Sequence, residues 1–493
     1  MGDSWNAAER SAADVLQRAR LRFGGEVVGT VAACDPGPVP LNYRECFVRD
    51  FAVSAAALLA AGEAGPVRAF VVTVARLQAR GGADAGLRAA PGLMPASFAV
   101  LRDTDVGAAA REGGVGREGA GERIVADFGQ RAIGRVAPAD AALWWLLILR
   151  AYRRATGDEE LQRTPEVRAA IEAILSLYLQ PQFEMLPSLL VPDGSAMIDR
   201  RMGVYGHPLD VQVLFWAGLR AACELLDAGD PWRDRAFERL VALGRHLRRD
   251  YWLDRSRIEV IRRYPVEEFG DAQLNQWNLH PDAIPIWTMA WLSEGGGYYA
   301  GNLGPARLDP RFFALGNLLA VSTGLAPTAH ADGLFSLIER HERDLLGETG
   351  VKLTYPPLEG RAWALLTGSD QKNVPWSYHN GGSWPMLLWP LASAARIAGR
   401  PDLARRVLQD AAHRLHLDDW PEYYDGPYGG LIGRRARLRQ TWSAAAVLAA
   451  ASLLGDPEAD DPFAFAHDEA IEAALEGADT MADDDTTGGA HRA

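Results

Sequence analysis

Carboxylates that stand beside aromatic residues are the groups in this sequence best suited to catalysis. Asp199 lies in DGSAMIDRRMGVYGHP (193–208), and Glu422 lies in WPEYYDG (420–426). Cleavage of a glycosidic bond requires one acid that protonates the leaving oxygen and one carboxylate that activates water or attacks the anomeric carbon. Both residues also have ordinary interpretations, Asp199 as a helix cap or arginine partner and Glu422 as a surface acid. The sequence alone leaves these alternatives open.

Other loops combine polar and aromatic residues in a way that suits a sugar, which presents apolar ring faces and hydroxyl groups. His379 lies in WSYHNGGSWP (376–385), Asp50 in NYRECFVRDF (42–51), and Asp127 and Arg135 in ADFGQRAIGRVAPAD (126–140). Asp50 could instead complement a helix N-terminus, and a lone histidine is often structural. These loops, and the residues Gln440 and Trp442, come just before predicted helices or open them, so we expect them to gather at one end of a helical fold.

Motif screening removes several classes of site. The sequence has neither a GxGxxG that opens a helix after a strand nor a P-loop lysine. His341 and Glu342 begin a zincin-like string, but position 345 is leucine. The ten histidines show no metal-ligand spacing. We therefore expect neither a cofactor nor a metal.

The charge of the chain argues against nucleic acid and against an anionic membrane surface as partners. The formal net charge is −13. Most of it is local, because the segment from Asp456 to Ala493 contains 12 acidic residues and one arginine. The body is nearly neutral, and we expect residues 477–493 to be a disordered acidic tail.

A cytoplasmic location is expected from the cysteines and the N-terminus. Cys34, Cys46 and Cys223 form no CxxC pair and no even framework. The N-terminal segment reads as an amphipathic helix rather than an apolar signal core, and no apolar run approaches the length that spans a membrane.

Helical periodicity dominates the chain. Apolar residues recur at three- and four-residue spacing in about a dozen segments, which lie near 52–63, 66–80, 139–156, 165–179, 209–228, 231–250, 282–293, 311–324, 331–345, 383–399, 402–416 and 440–454. Some are apolar nearly all round and others are amphipathic, which predicts an inner and an outer layer. Helix–long loop–helix units recur, and six of them would make an all-α (α/α)6 barrel. We expect residues 1–476 to form this single catalytic domain, with the long aromatic-rich loops at one end. The Gly-rich stretch 103–122 is predicted to be a mobile excursion.

The sequence resembles the alkaline/neutral invertases of glycoside hydrolase family 100. The matching stretches run from about residue 25 to 455 and keep the family's order and spacing; they are LNYRECFVRDF, MPASFAVL, DFGQRAIGRVAPAD, LLVPDGSAMIDRRMGVYGHPLD, GNLGPARLDPRFFALGN, KNVPWSYHNGGSWP, WPEYYDG and RQTWS. The resemblance implies an (α/α)6 barrel, no metal, a homo-oligomer, and hydrolysis of sucrose to glucose and fructose with inversion at the glucose anomeric carbon.

The resemblance also assigns roles to residues. It implies that Asp199 is the general acid and Glu422 the general base. In an inverting enzyme the two carboxyl groups stand roughly 6.5–9.5 Å apart. The acid must be protonated, so we expect Arg200 and Arg201 to turn their charged heads towards other partners. The predicted substrate-binding residues are Tyr43, Asp50, Asp127, Arg135, Arg200, Tyr205, His379, Gln440 and Trp442.

Gln130 and His207 depart from the family's residues, so the resemblance alone does not fix the substrate. Three other functions therefore remain open at this point. An inverting α-glucosidase acting on another small glucoside would use the same carboxylates. A sugar 2-epimerase would need paired histidines, for which His379 could combine with His207 or His280. A non-catalytic carbohydrate-binding or scaffold protein would need neither acid.

Overall fold

A computed structural model of the chain describes residues 3–37, 41–81, 90–102, 118–119, 121–131, 135–180, 187–200, 202–263, 279, 284–292, 294–304 and 307–477. Most of the predicted excursion at 103–122 and nearly all of the acidic tail lie outside these residues. The described helices are α1 (Asp3–Arg18), α2 (Val48–Ala60), α3 (Ala64–Leu77), α4 (Ala141–Thr156), α5 (Pro165–Tyr178), α6 (Leu209–Leu225), α7 (Pro231–His246), α8 (Arg255–Arg263), α9 (Ile286–Trp291), α10 (Ala314–Ser322), α11 (Thr328–Arg340), α12 (Glu342–Leu345), α13 (Gly360–Thr367), α14 (Leu388–Ile397), α15 (Pro401–Leu417), α16 (Thr441–Gly455) and α17 (Glu469–Glu476).

Six helices that are apolar nearly all round form a closed inner ring. Neighbours contact one another in the order α2, α4, α6, α10, α14, α16, and α16 returns to α2. In α4 every residue from Ala141 to Tyr152 is buried, as its sequence predicts. The helix ends where Gly157 adopts a left-handed φ of 71°. The ring forms because helices without a polar face must be covered on every side.

Amphipathic helices cover the ring from outside. Helix α5 buries Val167, Ala170, Ile171, Ile174 and Leu175, a stripe with helical periodicity. Helices α1, α3, α7 and α15 pack on α16, α4, α6 and α14, respectively. Helix α7 begins at Pro231, and the preceding Asp230 side chain accepts a hydrogen bond from the Trp232 amide, which caps the first turn. The two predicted layers are therefore present. None of the described helices meets the combined length and hydropathy needed to cross a bilayer.

Short antiparallel strands occupy the long connections. They are β1 (Arg20–Phe23), β2 (Glu26–Thr30), β3 (Cys46–Phe47), β4 (Ser97–Arg102), β5 (Glu118–Gly119), β6 (Glu122–Asp127), β7 (Trp252–Asp254), β8 (Gly297–Gly304), β9 (Arg307–Phe313), β10 (Leu346–Gly347), β11 (Gly350–Lys352), β12 (Thr354–Tyr355), β13 (Ser383–Trp384), β14 (Tyr424–Asp425) and β15 (Leu431–Ile432). They form sheets ordered β1-β2, β3-β4-β6-β5, β12-β9-β8-β7 and β10-β11-β13-β14-β15.

These strands correct several predicted helix boundaries. The helix predicted at 311–324 begins at Ala314, because residues up to Phe313 pair with β8 and β12. The helix predicted at 383–399 begins at Leu388 after a 3-10 turn, because Ser383 and Trp384 lie in a sheet. Strand β8 is buried on both faces and so lacks the alternation that marks a half-buried strand. Hydrophobic periodicity alone therefore does not reveal such strands.

Candidate active site

One pocket lies where the inner helices begin. Asp50 is in the first turn of α2, Asp140 precedes α4, and Trp442 is in the first turn of α16. The cavity measures about 360 Å3, within the usual range for small-molecule sites. It is lined by nine of the residues predicted from the sequence: Tyr43, Asp50, Asp127, Asp199, Arg200, His379, Glu422, Gln440 and Trp442. The structure thus brings the loops ahead of the helices together at one end of the ring.

Glu422 is buried and held from both sides by the chain. Its carboxyl oxygen Oε1 accepts a hydrogen bond from the Tyr43 hydroxyl at 3.1 Å, and Oε2 accepts one from the Arg437 amide at 3.4 Å. The Lys372 ammonium stands 3.9 Å from Oε2. The Glu422 amide donates to the Arg437 carbonyl at 2.8 Å. Because two donors hold the carboxylate in one orientation, it can accept a proton from a water molecule without moving.

Asp199 occupies a different environment. Its Oδ1 accepts a hydrogen bond from the Tyr378 hydroxyl at 3.3 Å, and 32% of the side chain remains exposed, towards the pocket that it lines. Burial among protein groups raises the pKa of Asp199, and nearby Glu422 adds to this, while Arg49, Lys372 and Arg200 oppose it. The net direction favours a protonated acid.

A glycine fixes the course of the chain at Asp199. Gly194 has a φ of 88°, a conformation that side chains disfavour. A Cβ at this position would stand 2.8 Å from the backbone oxygen of Asp199. The close approach of the two backbones therefore requires glycine.

Arg200 turns away from its neighbour, as expected. Its Nη1 donates to Asp370 Oδ2 at 3.0 Å. Arg201 lies outside the described residues. Because the guanidinium is engaged by Asp370, it opposes the protonation of Asp199 less than a direct ion pair would.

His379 is neutral in this setting. Its ring is buried, and burial together with the charges of Lys372, Arg49 and Arg200 places its pKa well below the usual value. The distance of 3.6 Å from His379 Nδ1 to Asp199 Oδ1 is too long for a hydrogen bond. The ring stacks on Tyr378, with centroids 3.9 Å apart.

Several lining side chains have polar atoms without a hydrogen-bond partner among the described residues. They are Asp50 Oδ1, His379 Nδ1, Gln440 Oε1 and Trp442 Nε1. Burial raises the pKa of Asp50 to about 7, with Arg49 Nε standing 3.6 Å from its Oδ1. Buried polar groups are normally satisfied, so this set points to a ligand with several hydroxyl groups.

Arg135 and Tyr205, which the sequence predicts to bind the substrate, do not line this pocket. Arg135 is exposed and has a φ of 50°. Tyr205 is 51% exposed and packs its ring against Arg307, whose guanidinium carbon is 4.1 Å from the ring centre. Asp127 does line the pocket, and its Oδ1 also accepts from the amides of Gly129 and Arg131.

Sequence reasoning overlooked three residues that contact the two carboxyl groups: Lys372, Tyr378 and Arg437. Tyr378 lies within the segment singled out for His379. Arg437 contacts Glu422 through its backbone amide, and no side-chain pattern marks such a contact. Lys372 does have a signal in the sequence, because only two of the 51 basic residues are lysines.

The described residues contain no group of three or more His, Cys, Asp or Glu side chains placed to hold a metal ion. In solved structures the chain resembles a glycosidase variant in complex with glucose (TM-score 0.54, 16% identity, 92% of this chain and 97% of that one). It also resembles a GH63 mannosylglycerate hydrolase from Thermus thermophilus in complex with glucose (TM-score 0.51, 15% identity, 90% and 99%). At these identities the likeness shows a shared helical fold.

Sequence comparison is more specific. The chain is 42% identical over 479 residues to cytosolic invertase 1 of Oryza sativa subsp. japonica, which covers 96% of this chain and 82% of that protein. It is 44% identical over 461 residues to an alkaline/neutral invertase of Arabidopsis thaliana, covering 93% and 80%. Residues 12–457 match the family described as alkaline and neutral invertase. The chain therefore belongs to the alkaline and neutral invertase family of glycoside hydrolases.

Proposed function

We propose that this protein hydrolyses sucrose to glucose and fructose with inversion at the glucosyl anomeric carbon. The observation that carries the proposal is the pair of carboxyl groups in one pocket. Burial raises the pKa of Asp199, whereas Glu422 accepts hydrogen bonds from a hydroxyl and an amide. Two carboxyl groups in contrasting environments are what an acid and a base require.

In the proposed reaction Asp199 gives its proton to the glycosidic oxygen, and the bond from that oxygen to the glucosyl carbon breaks. A water molecule attacks the same carbon from the opposite face and passes a proton to Glu422. The products are fructose and β-glucose. Asp50, His379, Gln440 and Trp442 supply polar atoms for the sugar hydroxyls, because each has one without a hydrogen-bond partner among the described residues.

The epimerase alternative finds less support. Among the described residues that line the pocket, His379 is the one histidine. His207 shares a hydrogen bond with the Ser188 hydroxyl away from this lining, and His280 lies outside the described residues. Paired histidines are therefore not supported, whereas paired carboxyl groups are.

The finer architecture is also part of the proposal. We propose that the ring of six inner helices and its outer cover form an (α/α)6 barrel within one catalytic domain, residues 1–476. A cytoplasmic location fits three free cysteines and a relative named cytosolic, although other relatives are named mitochondrial or chloroplastic. A homo-oligomer fits the exposed apolar residues Leu365 and Leu366 of α13, which are 69% and 41% exposed.

The test is an assay of fructose release from sucrose, run beside maltose, trehalose and glucosylglycerate. We expect turnover of sucrose well above the others. Cleavage of another glucoside without sucrose turnover would overturn the proposal in favour of a different α-glucosidase.

A further inference from the structure

Both lysines of the chain lie against the segment that carries Glu422. Lys352 donates from Nζ to the Gly426 carbonyl at 2.7 Å, at the end of WPEYYDG. Lys372 places its Nζ 3.9 Å from Glu422 Oε2. Every other basic residue is arginine. In a sequence that otherwise uses arginine, both lysines contact this segment, and Lys372 is the one that stands beside Glu422, which favours a role for its compact charge there.

The ammonium group of Lys372 is held in place by its surroundings. The residue sits in a 3-10 turn, Gln371–Asn373, and its amide donates to the side chain of Asp370 at 3.0 Å. The Nζ atom stands 3.7 Å from the centre of the Tyr378 ring and 5.3 Å from that of Tyr423. Aromatic faces attract a cation, so these rings fix the charge beside Glu422.

The distance to Glu422 suits a charge that acts without occupying the carboxylate. At 3.9 Å the ammonium forms an ion pair but no hydrogen bond. Oε1 already accepts from Tyr43, and Oε2 accepts from the Arg437 amide over a long 3.4 Å. A lone pair of Oε2 is thus left for a water molecule. A planar guanidinium would tend to engage both oxygens and displace that water.

We propose that Lys372 is a positioning residue that orients Glu422 for the attacking water. The inference rests on the proposed role of Glu422 as general base. The charged groups that face Lys372 are Glu422 and Asp199, which favour its ammonium form, and Arg200 and Arg437, which oppose it. Burial outweighs the attraction and lowers the pKa of Lys372, so its charge is lost at a lower pH than that of an exposed lysine.

The first experiment compares wild type with Lys372→Met, Lys372→Gln and Lys372→Arg, and with Arg340→Met as a control that removes an exposed positive charge. In Lys372→Met and Lys372→Gln we expect kcat on sucrose to fall by roughly 100-fold. KM should change much less than kcat, because the ammonium acts through Glu422 and not on the sugar. Lys372→Arg keeps the positive charge and should recover part of the lost kcat.

A rise in KM alone, with wild-type kcat in both neutral variants, would overturn the proposal and leave Lys372 as a substrate contact. A second readout needs no activity. The carboxyl-carbon NMR signal of Glu422, assigned with Glu422→Gln in protein labelled at glutamate carboxyl carbons, should move in Lys372→Gln relative to wild type at one fixed pH. An unchanged signal would also overturn it. If wild type fails to hydrolyse sucrose, the proposed function falls, while this signal still decides whether Lys372 positions Glu422.

Discussion

The hydroxyl of Tyr43 donates to Glu422 Oε1 at 3.1 Å and joins the two ends of the sequence inside the active site. Nearby contacts join the same two ends of the sequence. Ala33 forms an isolated β-bridge with Gln440, and the Thr441 hydroxyl donates to the Val31 carbonyl at 2.6 Å. Burial, aided by the charge of Glu422, raises the pKa of Tyr43 above its usual value, so the phenol remains a donor through neutral and mildly alkaline pH.

Replacing Tyr43 by phenylalanine should therefore slow catalysis without unfolding the protein. The variant loses one donor that orients Glu422, and we expect kcat on sucrose to fall by about 10- to 100-fold. The melting temperature should change by only a few degrees, since one hydrogen bond contributes about 1 kcal/mol. Tyr428→Phe, at a tyrosine that is 47% exposed, is the matched control. Wild-type kcat in Tyr43→Phe would remove this contact from the mechanism.

Asp199→Asn should abolish sucrose turnover, but it should retain activity on a substrate whose leaving group departs without a proton. Sucrose needs a proton at the departing oxygen, whereas fluoride departs without one. We expect the variant to lose about 1,000-fold or more in kcat on sucrose and to retain hydrolysis of α-glucosyl fluoride. Glu422→Gln should be slow on both, because each reaction needs an activated water. Equal losses on the two substrates in Asp199→Asn would argue against Asp199 as the acid.

The alkaline limit of activity should respond to Arg200. Asp199 must carry a proton, so activity is present below its pKa and disappears as the pH rises through it. The positive charge of Arg200 opposes the upward shift of that pKa. In Arg200→Gln the pKa of Asp199 should rise further, and the alkaline limb of kcat/KM should move to higher pH. Arg200→Lys keeps the charge and should leave the limb nearly unchanged. A limb that moves to lower pH in Arg200→Gln would contradict the assignment.

Alanine variants of Gly194 and Gly229 distinguish a steric clash of the added Cβ from the cost of the backbone conformation. Gly194 and Gly229 have φ angles of 88° and 83°, but a Cβ at 194 would meet the Asp199 backbone oxygen, whereas a Cβ at 229 meets nothing within 4 Å. Both alanine variants should lose on the order of 1 kcal/mol of stability from the backbone conformation. Gly194→Ala should in addition lose activity, because Asp199 must move. Similar kcat values in the two variants would show that the close approach is unimportant.

The helices could be predicted, and so could the placement of Asp199 and Glu422 in one pocket, because their signals are local. A helix such as α4 is recognisable from its own apolar residues, and Asp199 and Glu422 stand in segments with aromatic and glycine neighbours. The sheets were mostly missed, since strands such as β8 are buried on both faces and carry no alternation. Arg135 is predicted to bind the substrate, but its side chain is exposed and does not line the pocket, and its own segment does not specify the positive φ that it adopts.

Contacts between distant segments could not be predicted at all. Tyr43 and Lys372 reach Glu422 from separate loops, and their meeting depends on how the ring of helices closes. Nothing near Tyr43 in the sequence identifies its partner. Lys372 is a partial exception. Lysine is rare among the basic residues, which makes the position noticeable, but the sequence does not show that its neighbour is Glu422.

The stereochemistry of the first product tests the central claim most directly. Proton NMR of wild-type enzyme acting on fresh sucrose should show the β-anomer of glucose appearing first, with the α-anomer growing later by mutarotation. This outcome requires a water between the two carboxyl groups, which should then stand about 6.5–9.5 Å apart. Initial release of α-glucose would mean retention, and Asp199 and Glu422 could not then act as the acid and base of an inverting reaction.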